Sequence, residues 1–565
     1  MKSKRIWAIL MVVALLAVTL TGCGEETKKA NNPEGEKTET ENKIDDEQYI
    51  TTTTLEPQAI DPSKSSDVYS SQILNEITEG LARIEVDEKG TDVYKPAGAE
   101  KWDVSDDGLV WTFHLRDYKW SDGKTVTAKD FEYGIKRTID PKVASNYAFL
   151  LYPIKNAQVC NTGEKPLDEL GVKTVDDKTL EITLEGPCAY FEKLLAFKTM
   201  YPQRQDLVEK WGDKSGTEAE YTISCGPFEL SEWTHKNQLV LTKNENYWDK
   251  DNVKLDKLTY KVATDPTTRA NMLSSGQLDM AGITQSEWVE KFKKDENLNY
   301  TSRFRATTAY QFYNQEDKLF SNANIRKAFS LAMDREEMVD VLYYGIAGPA
   351  YGFVPPDMTI GDKQYREVVE EPLKKLKEEN PDPKALFIKG LEELGMDPDP
   401  SKVTVTMLQS GTDANTRRFA EYDQQVYEKK LGINVKAEYV DWPVFLDRTD
   451  KKEYQVGGMA WTGDYNDPMT FLDMWVTDAG MSNVSWSNKE YDDLIKKAQK
   501  SLDDEERLEC FKRAEEILLC DDTVISPTVY MKNSTFMYKY VKGTMSPLFG
   551  SGMEFKYAYT QGRGK

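Results

Sequence analysis

Trp111, Phe113 and Leu115 alternate with Thr112, His114 and Arg116, a two-residue period that predicts a strand with one buried face. Asp107-Gly108 stands before it and residues 102–104 before that, so the stretch reads as a β-hairpin whose glycine tolerates the positive φ of a tight turn. Residues 172–174 and the alternating Leu180, Ile182 and Leu184, joined by Asp176-Asp177-Lys178, read as a second hairpin. Ser121-Asp122-Gly123 predicts a turn. Thr127 and Asp130 then form a capping-box pattern that opens a helix of about three turns, stopped by Asp140-Pro141.

On either side the periods are mixed. The threonine-rich segment 49–55 reads as a strand and 66–81 as a helix closed by Gly80. Strands return after Gly226-Pro227, and 258–295 alternates strand with helix. Ala328, Phe329, Ala332, Met333 and Met338 fall near helical spacing and predict one long helix over 325–342. Residues 373–395, charged and interrupted by Asn380-Pro381-Asp382-Pro383, read as surface helices. Strands at 403–408 and 433–440 flank a helix ending at Gly432. The pattern is α/β without internal repeats, and the chain is too long for a single core, so two or three domains are expected.

The first residues follow another logic. Lys2, Lys4 and Arg5 precede an uncharged apolar run over 6–18, too short to cross a bilayer. Leu20-Thr21-Gly22-Cys23 resembles a bacterial lipobox, which makes residues 1–22 a lipoprotein signal peptide and Cys23 the expected diacylglyceryl anchor. Each buried methylene contributes about 0.8 kcal/mol, so two acyl chains hold a folded domain at a membrane. From Gly24 to about Gln48 the chain is polar, with Ile44 its one large aliphatic residue, and it reads as a disordered tether.

Net charge of −23 makes nucleic acid an improbable partner, and loss of the signal peptide makes the mature chain more acidic still. With Cys23 lipidated, Cys160, Cys188, Cys225, Cys510 and Cys520 remain, without CxxC spacing, so zinc and dithiol redox chemistry are not supported. Their pairing stays open. Only His114 and His235 are available for acid–base work, and His114 falls on the polar face of its strand. No GxSxG, HExxH, Walker-type loop or GxGxxG is present. No catalytic residue, metal or cofactor is expected, and function must rest on binding.

Pro96-Ala97, Lys101-Trp102-Asp103-Val104-Ser105-Asp106-Asp107-Gly108, Lys119-Trp120-Ser121-Asp122-Gly123 and Ala128-Lys129-Asp130-Phe131 together resemble the signature of the peptide, nickel and oligosaccharide-binding proteins of ABC importers. These are the bacterial extracellular solute-binding proteins of family 5, and the oligopeptide-binding branch is the one resembled. Gly226-Pro227-Phe228, Asn246-Tyr247-Trp248, the segment 325–335, and Ser487-Asn488 with Tyr491-Asp492 extend the likeness over nearly the whole mature chain.

The resemblance implies an α/β, two-lobed, periplasmic-binding-protein-like fold of class II with three domains and a ligand cleft between the lobes. Domain I would comprise 49–92, 205–309 and 532–565, domain II the β-rich 93–204, and domain III the second lobe, 310–531, with 23–48 as lipidated tether. It implies a monomer on the outer face of the cell membrane or in the periplasm, passing short peptides to permease subunits.

Within Trp461-Thr462-Gly463-Asp464-Tyr465-Asn466-Asp467-Pro468, Asp464 matches the acid that pairs with the ligand ammonium in peptide-binding members, and Asp467 reads as a helix cap. Trp461 would wall the first side-chain pocket, Tyr147 would face the ligand from the other lobe, and Ser66 to Val68 would offer main-chain groups. Gly457 and Gly458 stand where some relatives place an arginine for the ligand carboxylate, leaving Arg417, Arg418 and Arg448 as nearby basic candidates. Other cargoes on the same fold (dipeptide, nickel chelate, haem, oligosaccharide), an exported enzyme, and an adhesin or signalling-peptide receptor remain open alternatives.

Overall fold

The structure is a computed structural model, and it describes residues 43–564 apart from 66, 478–483 and 551. The signal peptide 1–22, Cys23, most of the tether and Ser66 lie outside the described residues.

Both expected hairpins form and join. Ala99–Val104, Val110–Leu115, Thr179–Thr183 and Val172–Asp176 make a four-stranded antiparallel sheet in that order, with Gly108 at φ +71° in the first turn. Its apolar face, with Phe113, Leu180 and Ile182, packs in one core with Phe131 and Ile135 of helix Ala128–Ile139. Asp130 caps that helix by accepting the Thr127 backbone N–H at 2.8 Å. On the polar face His114 meets Asp103, Nε2 to Oδ2, at 2.7 Å.

A second sheet runs Tyr49–Thr54, Lys257–Val262, Gln238–Lys243, Phe228–Thr234, the first pair parallel. The largest sheet is built on two long antiparallel strands, Leu298–Tyr313 and Ile525–Tyr538. At one end Met280–Gly282 pairs with Ile525–Tyr538. At the other, Val456–Thr462 pairs with Leu298–Tyr313 and leads on to Thr404–Ser410 and Asn434–Val440. The ribbon therefore connects the body carrying the first strands to a second α/β body. Its register shifts between Phe304 and Thr308.

Three expectations are corrected. The long helix over 325–342 is two, Ala323–Ala332 and Arg335–Leu342, because Met333 leaves the helical region (ψ 122°) and Asp334 caps the next helix by accepting the Glu337 N–H at 3.0 Å. The break lets the buried Arg335 guanidinium donate to the carbonyls of Ala350 and Pro527, at 2.7 and 2.8 Å. The helix read over 66–81 spans Val68–Ile77 only, with Asp67 as its cap. The tether does not run to Gln48, since Asp45 accepts the Gly562 N–H at 2.7 Å and Gln48 donates to the Thr560 carbonyl at 3.0 Å. Composition weighs apolar burial, whereas hydrogen bonds to the chain's last residues order this stretch.

Candidate functional site

Strand Val456–Thr462 supplies one wall. Residues 307–313 pair with it along its whole length, but on its other edge Thr404–Ser410 pairs only at Val456 and Gly457. From Gly458 onward that edge carries no strand among the described residues, and Gly458, Ala460 and Thr462 are exposed. Unpaired N–H and C=O groups of this kind can take up an extended chain by strand addition. Gly457 is required by packing, since a Cβ there would lie 2.5 Å from the Phe312 ring, whereas at Gly458 the nearest atom would be 3.8 Å away.

The loop after this strand is pinned from several sides. Gly463 N–H donates to the Ala306 carbonyl at 2.8 Å, and Asp464 N–H to Thr470 Oγ1 at 3.0 Å. Asp467 is more than a cap: besides accepting the Met469 N–H at 3.1 Å, its two oxygens receive the buried Arg507 guanidinium at 2.8 and 2.9 Å. With its backbone fixed, the half-buried Asp464 carboxylate accepts no hydrogen bond from any described residue. Burial raises its pKa to about 6, and the charge of Lys198 partly opposes the rise.

Lys198 belongs to the facing wall. It is almost fully buried, donates to Ser71 Oγ at 2.9 Å and lies 4.8 Å from the centre of the Tyr147 ring. Burial lowers its pKa to about 8, while Asp67 and Asp464 hold it up. The Tyr147 hydroxyl is pushed up to about 12 by burial and then by the charges of Asp464 and Asp67. Asp67 is fixed by its capping bond from the Ser70 N–H, 2.7 Å.

Between these walls lies a cavity of about 520 Å³, within the range of ligand sites. Its lining brings together Asp464, Tyr147 and Val68, and adds Asp67, Lys198 and Arg305. Trp461 is not among the lining residues. Its indole N–H is donated to the Thr470 carbonyl at 2.8 Å, so it braces the loop that carries Asp464. None of the three basic candidates reaches the cavity. Arg417 lies over the Tyr439 ring, Arg418 bonds Tyr344 and Asn415, and Arg448 pairs with Glu438. Lys198 had a legible signal, a single cation inside the otherwise uncharged and mostly apolar run 194–201. Arg305 had none.

Beside the cavity the two bodies touch. Tyr190 stacks on Tyr465 with ring centres 4.4 Å apart and planes 14° from parallel. Lys193 donates to the Asn466 carbonyl and, at 3.3 Å, to Thr359. The five cysteines 160, 188, 225, 510 and 520 form no disulfide.

A model of the bacterial extracellular solute-binding proteins, family 5, middle part, matches residues 93–483. The chain is 33% identical to the oligopeptide-binding protein OppA of Bacillus subtilis (strain 168), covering 98% of this chain and 99% of that one. It is 34% identical to the dipeptide-binding protein DppE of the same organism, over 96% of each. Among solved structures it resembles Listeria monocytogenes OppA bound to peptide, with TM-score 0.73, 32% identity, and coverage of 91% of this chain and 99% of the other.

Proposed function

This chain belongs to the bacterial extracellular solute-binding proteins of family 5, and from that premise we propose that it captures short peptides and delivers them to the permease of an ABC importer. The observation that carries this reading is Asp464. A carboxylate that accepts no hydrogen bond from any described residue is held in the cavity beside an open strand edge, with its pKa raised to about 6. An ammonium at that point is the group that best stabilises the ionised acid. The edge from Gly458 to Thr462 would then satisfy the main chain of an extended ligand whatever its side chains.

In this reading Tyr147 and Lys198 form the opposite wall, Val68 meets the ligand beside Asp67, and Ser66 continues that contact. The segments 49–92, 205–309 and 532–565 make domain I, 93–204 domain II and 310–531 domain III, with the ribbon of long strands as the hinge. The protein acts as a monomer, anchored through Cys23 outside the cytoplasmic membrane, and releases its peptide uncleaved. A dipeptide cargo is the second reading, favoured by the identity with DppE.

Mass spectrometry of ligands retained through gentle purification, followed by calorimetry with a peptide length series, tests the proposal. Recovery of short peptides and binding of free-amine peptides support it. Binding of a non-peptide solute in preference to every peptide contradicts it. Intact peptide after prolonged incubation separates binding from hydrolysis.

A further inference from the structure

Arg305 is the one guanidinium of the cavity lining that sits in the register break of the long ribbon. Phe304 pairs with Lys532 and Thr308 with Tyr530, so residues 305–307 stand opposite the single Met531. Such bulges re-aim side chains. Here the side chain joins the cavity wall together with Tyr69, the ionisable group whose charge bears on it.

Arg305 makes no hydrogen bond or ion pair with any described residue. Its neighbours differ. Arg303, two positions earlier, pairs with Asp92 at 3.0 Å and Asp357 at 3.7 Å, and Lys198 is held by Ser71. Burial lowers the pKa of Arg305, yet a guanidinium stays charged in proteins, so its five N–H donors are available to an acceptor in the cavity. Its place relative to Asp464 is also defined. Gly463 donates to Ala306, which makes Arg305 and Asp464 the next residues on two paired chains. The charge that bears on Asp464 comes from Lys198, and the charge that bears on Arg305 comes from Tyr69.

We propose that Arg305 is a ligand-contacting residue that receives a carboxylate of the bound peptide, either the terminal one or an acidic side chain. Resting on the peptide reading above, this supplies the anion contact that Arg417, Arg418 and Arg448, which do not line the cavity, leave unassigned. A planar fork matched to two carboxylate oxygens gives it both strength and direction.

The test is calorimetry on the wild type, Arg305→Gln and Arg305→Lys, with circular dichroism melts confirming folding. The ligands are trialanine, its C-terminal amide, and tripeptides carrying Glu or Gln at each position in turn. One acid–amide pair is expected to differ by about ten- to a hundredfold in the wild type. The difference should fall below about threefold in Arg305→Gln and be intermediate in Arg305→Lys. Which pair responds identifies the terminal or the side-chain carboxylate. An acid preference surviving intact in both variants, or no preference in the wild type, overturns the proposal while leaving peptide capture standing. Failure of every peptide to bind the wild type overturns both. Should Arg305→Gln not fold, the Arg305→Lys ratio decides.

Discussion

Lys198 and Asp464 face each other across the cavity, and each holds the other in its charged form: the acid raises the lysine's pKa, and the lysine lowers the acid's. In both, burial is the larger effect and acts the opposite way, leaving Asp464 at about 6 and Lys198 at about 8. A ligand ammonium arriving beside Asp464 therefore meets an acid only weakly held by its own protein.

Peptide affinity should depend on pH with a known sign. The folded pKa of Asp464 is raised, so the carboxylate that pairs with an ammonium is fully present above about 7 and is lost as pH falls through about 6. Affinity measured by calorimetry should be flat from pH 7 to 7.5 and about tenfold weaker at pH 5, and Asp464→Asn should abolish the dependence. An unchanged profile in the variant contradicts the assignment.

Replacing Lys198 by Met removes the charge that keeps Asp464 ionised. The acidic midpoint of binding should move above 6, and a midpoint unmoved or shifted downward would show that the two groups do not communicate.

Asp467→Asn takes from the buried Arg507 guanidinium its two-oxygen partner and leaves only the half-exposed Asp504 at 3.5 Å. Losing one partner of such a pair costs about 3–5 kcal/mol, so the denaturation midpoint should fall markedly while peptide affinity of the folded fraction changes little. A midpoint within error of wild type would contradict the buried pair.

Tyr465→Ala removes the stack on Tyr190 beside the cleft. Aromatic pairs contribute about 0.5–1.5 kcal/mol beyond burial, so peptide dissociation followed by stopped-flow fluorescence should accelerate roughly three- to tenfold with little change in association. An unaltered off-rate excludes a role for this contact in retention.

The anchor is tested separately. Cys23→Ser should abolish labelling with a fatty-acid probe and release the protein from membranes, whereas retained labelling would place the lipid elsewhere.

What could be read in advance follows the locality of each interaction. The hairpins at Asp107-Gly108 and 176–178 and the helix capped by Asp130 depend on residues a few positions apart, and their periods were plain. The break at Asp334 was equally local, but the apolar spacing continues across it and hides the cap. Asp464, Tyr147 and Val68 reached the cavity through a resemblance tied to motifs. Trp461 did not, because its indole found a carbonyl nine residues on. Order at Asp45 and Gln48 depends on contacts with residues more than 500 positions away, and the placement of Arg305 in the cavity wall on a register break between two distant strands. Neither leaves a trace in local pattern.

The account stands on an ammonium meeting Asp464, and a chemical cycle tests this most directly. Free-amine and N-acetylated forms of one tripeptide are titrated into the wild type and Asp464→Asn at pH 7. A charge-assisted bond of about 1.5–3 kcal/mol predicts a loss of about ten- to a hundredfold on acetylation in the wild type and little in the variant. Equal losses in both proteins, or none in the wild type, would contradict it.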